Sequence, residues 1–202
     1  MSSYTPRDVY NFASNGDSTN LTAALTISSN RSNWYTTQYG WNALHVATNN
    51  GRLNCMSILL NSGIDINSKD NDNDTALSLA AYNGHLQGIE LLLARGADIN
   101  SRNNGNRTAL HCAAININGA CVSLLLNKGA VIDDDDIDSY KPYEEDEGTY
   151  YTDCRPMIVA EIEHRRMRAA FDTFNHHHIE YPPYIDSIYT CLLYTSPSPR
   201  DS

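Results

Sequence analysis

Few residues in this chain of 202 combine type and spacing in a way suited to chemistry. His45 and His111 are candidates for a base or a metal ligand, and His176, His177 and His178 form a run that invites a metal. Three adjacent histidines point in different directions on a helix, and no cysteine or carboxylate cluster joins them, so no metal is expected there. Cys55, Cys112, Cys121, Cys154 and Cys191 show no CxxC pair and no metal-finger spacing. They read as small buried hydrophobes in a reducing compartment. The nine carboxylates between Asp133 and Glu147, relieved only by Lys141, are a solvated run and not a general acid–base pair. Asn20, Asn30, Asn73 and Asn106 open N-x-S/T tripeptides, but Met1 to Phe12 lacks the basic flank and apolar stretch of a secretory signal. Pro182-Pro183-Tyr184 lacks the spacer of a P-P-x-Y ligand and reads as a helix stop. With no Gly-rich phosphate loop and no nucleophile elbow, neither catalytic residues nor a cofactor is expected, and the chain does not read as an enzyme.

Charge narrows the partners. The formal balance is −10, from 24 acidic and 14 basic side chains, and hydrophobic residues make up 41% of the chain, enough for a core. From Thr37 to Ile132, six acids face six bases, so the acidity is one local segment. Nucleic acid and anionic membranes should be repelled, and no apolar run approaches the roughly 20 residues of a membrane helix. The expected location is cytoplasmic, with the nucleus open as an alternative. The last stretch, CLLYTSPSPRDS from Cys191 to Ser202, fits the translation of a common transposase sequencing adaptor through eleven consecutive codons. It is set aside as a scar, and the natural chain is expected to continue past about Thr190 with other residues.

Whatever these residues do, repeated elements must position them. Ala43-Leu44-His45, Ala76-Leu77-Ser78 and Ala109-Leu110-His111 recur every 33 residues. Leu59-Leu60, Leu92-Leu93 and Leu125-Leu126 keep that register, as do Gly63, Gly96 and Gly129, and Ile66, Ile99 and Ile132. Within one copy, Thr75 opens a short helix to Asn83 that Gly84 breaks. Leu86, Ile89, Leu92 and Leu93 then mark a second amphipathic helix, and Gly96 stands where a helix end needs positive φ. A polar, turn-rich loop follows. At its tip Gly40, Asn73 and Asn106 align, and all three tolerate the left-handed region.

This pattern resembles the ankyrin repeat, whose period is 33 and whose signature reads T-P-L-H-x-A. It stands here as NALHVA from Asn42, TALSLA from Thr75 and TALHCA from Thr108, followed by GIDIN, GADIN and GAVID. The resemblance implies an all-α solenoid of helix-turn-helix repeats with β-turn fingers, at 37–69, 70–102 and 103–135. Residues 1–36 are then a degenerate capping repeat, with a first helix around Asp8–Asp17 and a second over Ser18 to Ile27 carrying Leu21 and Leu25. Gly16 lies 35 residues before Gly51, so this cap carries a small insertion. Residues 136–153 read as a flexible acidic insertion. Residues 154–190 read as a closing helix and tail, the helix basic on one side through Arg165, Arg166 and Arg168. The sequence departs from the motif where Ala replaces Pro in every copy, Asn42 replaces Thr and Ser78 replaces His. Ile117 stands where Gly51 and Gly84 stand. A β-branched residue holds positive φ at high cost, so Asn116, Asn118 or Gly119 is expected to redirect the chain and make the third repeat irregular.

The resemblance implies an interaction module that binds another protein, as a monomer, on a concave face of finger tips and first-helix ends. Transferred by position, that face comprises Gln38, Tyr39, Trp41, Asn49 and Asn50 in the first repeat. Asn71, Asp72, Asp74, Tyr82 and Asn83 follow in the second, and Asn104, Gly105, Arg107, Ile115 and Asn116 in the third, with Lys69 and Arg102 between copies. Tyr39, Trp41 and Tyr82 are the expected anchors, since aromatics dominate interface energetics. Trp41 has the alternative of packing on the N-terminal cap. His45 and His111 fall on the motif histidine, a structural residue in the family. Asn67 and Asn100, with Leu59 and Leu92 eight residues upstream, sit where the family's asparagines can be hydroxylated, or serve as finger caps. The alternative function is the substrate-recognition arm of a larger enzyme or ubiquitin-ligase adaptor.

Overall fold

The structure, a computed structural model, describes residues 4–27, 37–132 and 154–174. The acidic run from Asp133, the histidine run, Pro182–Tyr184, Asn30 and the stretch from Cys191 lie outside these residues. Among the described residues all regular structure is helical: α1 (Pro6–Asn15), α2 (Ser18–Ile27), α3 (Ala43–Asn49), α4 (Leu53–Asn61), α5 (Ala76–Tyr82), α6 (Leu86–Ala94), α7 (Ala109–Ile115), α8 (Gly119–Asn127) and α9 (Arg155–Phe174).

The first helices start alike because their sequences carry reciprocal caps. Asn42 Oδ1 accepts from the N–H groups of Leu44 and His45 at 2.9 and 3.0 Å, while its own N–H donates to His45 Nδ1 at 3.2 Å. Thr75 and Ser78 make the same exchange at 2.9 and 3.3 Å, and the Thr108 N–H donates to His111 Nδ1 at 3.2 Å. Thr5 and Asp8 repeat the device at α1. Both departures from the motif at this point, Asn42 and Ser78, therefore preserve the cap, a feature typically contributing ~1 kcal/mol.

Between the helices of each pair, the left-handed residue is Gly51, Gly84 or Ile117, with φ of 64°, 72° and 59°. The expectation of an irregular third repeat is thus corrected. Ile117 itself takes positive φ, and α7 and α8 match α5 and α6 in length. The turn is over-determined by the same three hydrogen bonds as in the second copy: Ile117 N–H to the Ala114 carbonyl, Asn118 N–H to Ala113 and Gly119 N–H to Ile117, at 2.9 to 3.0 Å. Gly16, Gly63, Gly96 and Gly129 also take positive φ, as do Gly40, Asn73 and Asn106 at the finger tips.

Within the compact unit Met1–Arg155, α3 packs between α1 and α5, and α5 between α3 and α7; α2, α4, α6 and α8 form a second row. Aligned positions make continuous core layers. Leu44, Leu77 and Leu110 are buried, as are Leu59, Leu92 and Leu125, and Met56, Ile89 and Val122. Ala47, Ala80 and Ala113 are fully covered, and their small side chains let neighbouring first helices approach closely. Truncating one such leucine to alanine costs about 2–5 kcal/mol. Leu86, expected on the apolar face of α6, is instead 37% exposed, whereas Ile89 and Leu92 of the same helix are fully buried. In α2, Leu21 and Ala24 are buried and Leu25 is half-buried.

Apart from its first residue, helix α9 belongs to the second unit, Pro156–Ser202. Ile158 and Ile162, four residues apart, share one of its faces and are buried. Arg165 Nε donates to Glu161 Oε1 at 2.8 Å, which neutralises part of the basic side expected of this helix.

Candidate protein-binding face

Each finger is organised by one oxygen-bearing side chain. Thr37 Oγ1, Asp70 Oδ1 and Asn103 Oδ1, spaced by 33, each accept from the N–H groups two and four residues onward, at 2.8 to 3.3 Å. Two backbone bonds then close each loop: Thr37 N–H to the Trp41 carbonyl, Asp70 to Asp74 and Asn103 to Arg107, all at 3.0 Å, and Gly40, Asn73 and Asn106 N–H back to the carbonyls of Thr37, Asp70 and Asn103 at 2.9 to 3.1 Å. Neighbouring fingers are laced together. Asn71 N–H donates to the Tyr39 carbonyl at 3.1 Å, and Asn104 N–H to the Asp72 carbonyl at 2.8 Å. At Gly40, φ is +79° and a Cβ would lie 2.7 Å from the Asn71 backbone nitrogen, so the first finger admits no side chain at its tip.

The other end of the first helices is laced in the same way. Asn50 Nδ2 donates to the Ser14 carbonyl at 3.1 Å, and Asn83 Nδ2 to Asn49 Oδ1 at 3.0 Å. Asn118 Nδ2 donates to the Ala81 and Tyr82 carbonyls at 2.9 Å. Arg52 and His85, aligned with Asn118, reach the Ser14 and Asn49 carbonyls at 3.3 and 3.0 Å.

Against this frame the expected site residues divide. Tyr39 and Tyr82 stand out at 65% and 49% exposure, and Asp72, Asn50 and Asn83 are exposed. Asn49 is half-buried within the amide lacing. Asp74 is half-buried, its Oδ1 accepting from Ser78 Oγ and Asn103 Nδ2, each at 3.0 Å. Arg107 is half-buried. Trp41 is half-buried, and its indole N–H donates to Asp70 Oδ2 at 2.9 Å, so it ties the first finger to the second. Ile115 is corrected: at 5% exposure it lies in the interior, where an aliphatic side chain gains about 1.5–3 kcal/mol, and it is not available to a partner. Thr37, Asp70 and Asn103, which govern finger shape, were overlooked from sequence. Their signal was a small polar oxygen recurring every 33 residues ahead of each tip.

The candidate chemical groups have structural duties. His45 is fully buried, its Nδ1 accepting from Asn42 and its Nε2 lying 3.1 Å from the Ser68 carbonyl, which can only accept. Burial holds its pKa below the ordinary value, against an opposing pull from Asp70. Burial likewise raises the thiols of Cys55 and Cys121 and pushes Cys112 up to about 12, which disfavours the thiolate at all three. Asn67 Oδ1 accepts from the Asp98 N–H and Asn100 Oδ1 from the Val131 N–H, both at 2.9 Å, bridging successive loops. Among the described residues no three His, Cys, Asp or Glu side chains gather as a metal site, and no helix is long and apolar enough to cross a membrane.

A family model described as ankyrin repeats (3 copies) matches residues 10–103 and again 69–136, together more than half of the chain. The chain belongs to the ankyrin-repeat family. The match begins inside α1, so the N-terminal helix pair is included with the three clear ankyrin repeats. No match was found among curated proteins. Ankyrin repeats are generally protein–protein interaction modules and typically not enzymes.

Proposed function

We propose that this ankyrin array binds a partner protein, as a monomer, on the face formed by its fingers and first-helix ends, with Tyr39 and Tyr82 as anchors. The observation that carries this reading is the exposure of these two rings, 65% and 49%, on a scaffold whose fingers and helix ends are laced together by hydrogen bonds. Tyrosine offers a large apolar ring with a polar tip and loses little rotamer freedom on binding, which is why it anchors interfaces. Tyr39 is on a finger whose carbonyl holds Asn71, and Tyr82 ends a first helix whose carbonyl holds Asn118, so both rings stand on rigid supports. Asp72, Asn50 and Asn83 form the polar surround.

A photo-reactive amino acid placed at Tyr39 or at Tyr82 tests this in the cell of origin. The same protein should be crosslinked from both positions, and neither Glu90 on α6 nor Lys128 beyond α8 should give that product. Crosslinks from Glu90 and Lys128 alone would move the interface to the second-helix face.

A further inference from the structure

Three side-chain amides on this face have their nitrogen engaged by a backbone carbonyl and their oxygen free of a partner among the described residues. Asn71 Nδ2 donates to the Gln38 carbonyl at 2.8 Å, Asn83 Nδ2 to the Leu79 carbonyl at 2.9 Å and Asn116 Nδ2 to the Cys112 carbonyl at 3.0 Å. A backbone carbonyl only accepts, so chemistry sets each amide's orientation, nitrogen toward the array and oxygen away from that contact. Two cations of this face are engaged by backbone carbonyls. Lys69 Nζ donates to the Arg102 carbonyl at 3.0 Å, and an Arg102 Nη to the Asn106 carbonyl at 2.8 Å. The Oδ1 atoms of Asn71, Asn83 and Asn116, and the Asp72 carboxylate, accept no hydrogen bond among the described residues. Asn71, Asp72 and Asn83 are exposed.

We infer that the partner presents N–H donors to this face, through an arginine-bearing segment. The inference rests on the reading above that the face binds protein. A guanidinium carries five N–H donors in a planar fork and serves several oxygens at once. Its flat surface also stacks on tyrosine rings such as Tyr39 and Tyr82. Lysine supplies a point charge without that fork. An acidic segment meets like charge at Asp72 and lone pairs at the amides.

Fluorescence anisotropy on the full chain tests this with a labelled octapeptide of alternating glycine and arginine, beside lysine and citrulline counterparts. The arginine peptide should bind saturably and more tightly than either counterpart. Asp72→Asn and Tyr82→Ala should each weaken it about threefold or more, with an unchanged melting transition. Binding undiminished in both variants overturns the inference and places the peptide on the acidic run 133–147. Absence of saturable binding also overturns it. The face itself is judged separately: if crosslinks at Tyr39 and Tyr82 still capture one cellular protein while the peptide fails, only the donor chemistry is wrong.

Discussion

The indole of Trp41 and the carboxylate of Asp70, 29 residues apart, meet through a 2.9 Å hydrogen bond that joins two successive fingers. Asp70 is 9% exposed and its other oxygen accepts from Asp72 and Asp74. Burying a carboxylate this far is tolerable because three N–H donors replace its water. Asp70→Ala should therefore destabilise the array by about 2–3 kcal/mol. Asp70→Asn should cost less, about 1 kcal/mol, because Asn103 organises the third finger with an amide, whereas an amide nitrogen at residue 70 would face the indole donor. Urea denaturation of both variants gives the comparison: an Asp70→Asn variant as stable as the parent would show that the indole bond contributes nothing, and equal losses that the finger bonds do not.

The three turn positions between paired helices differ in what covers them. At Gly84 a Cβ would lie 2.8 Å from Asn118 Oδ1, the side chain that holds the Ala81 and Tyr82 carbonyls. Ile117, by contrast, is half-exposed. Gly84→Val combines left-handed strain with this collision and should cost about 2 kcal/mol or more. Ile117→Gly should raise stability by up to about 1 kcal/mol, strain relief outweighing the extra freedom of the unfolded chain. Paired urea midpoints check both signs.

Thr48 stands where the other copies have Ala81 and Ala114, fully buried, with no hydrogen-bond partner for its hydroxyl among the described residues. Replacing the hydroxyl by a methyl of similar size in Thr48→Val should stabilise by about 1 kcal/mol. A lower melting temperature would mean that the hydroxyl is satisfied.

His45 links stability to pH. Its folded pKa lies below the ordinary 6.5, so between the two values the unfolded chain binds a proton that the folded chain does not. Its contribution is fully present above about pH 6.5 and falls as pH drops toward the folded value. His45→Ser, which copies the cap made by Ser78, should flatten that part of the stability–pH curve. An unchanged slope would assign the acid sensitivity elsewhere.

The array was legible in sequence because its landmarks serve local physics. Thr75, Gly96 and the leucine pairs act within one copy, and periodicity multiplies their signal. The corrections to that reading come from contacts that a one-dimensional pattern does not carry. Trp41 reads as an exposed aromatic until Asp70 of the next finger is placed beside it. Ile115 aligns with Asn49 and Tyr82, yet an aliphatic side chain at that position turns inward while a tyrosine does not. Ile117 looks prohibitive from side-chain sterics alone, and only the repeated turn hydrogen bonds explain why the chain accepts it. The exposed tyrosines were legible because neither belongs to the apolar set that repeats every 33 residues.

The most direct test is the affinity of the crosslinked partner for the full chain and for its double variant Tyr39→Ala, Tyr82→Ala, by titration calorimetry at two salt concentrations. Binding through these rings predicts a loss of at least about 2 kcal/mol, roughly thirtyfold, with an unchanged melting transition and only modest salt dependence. Undiminished affinity in the double variant, together with a steep salt dependence, would contradict it and place recognition on the acidic run between Asp133 and Glu147.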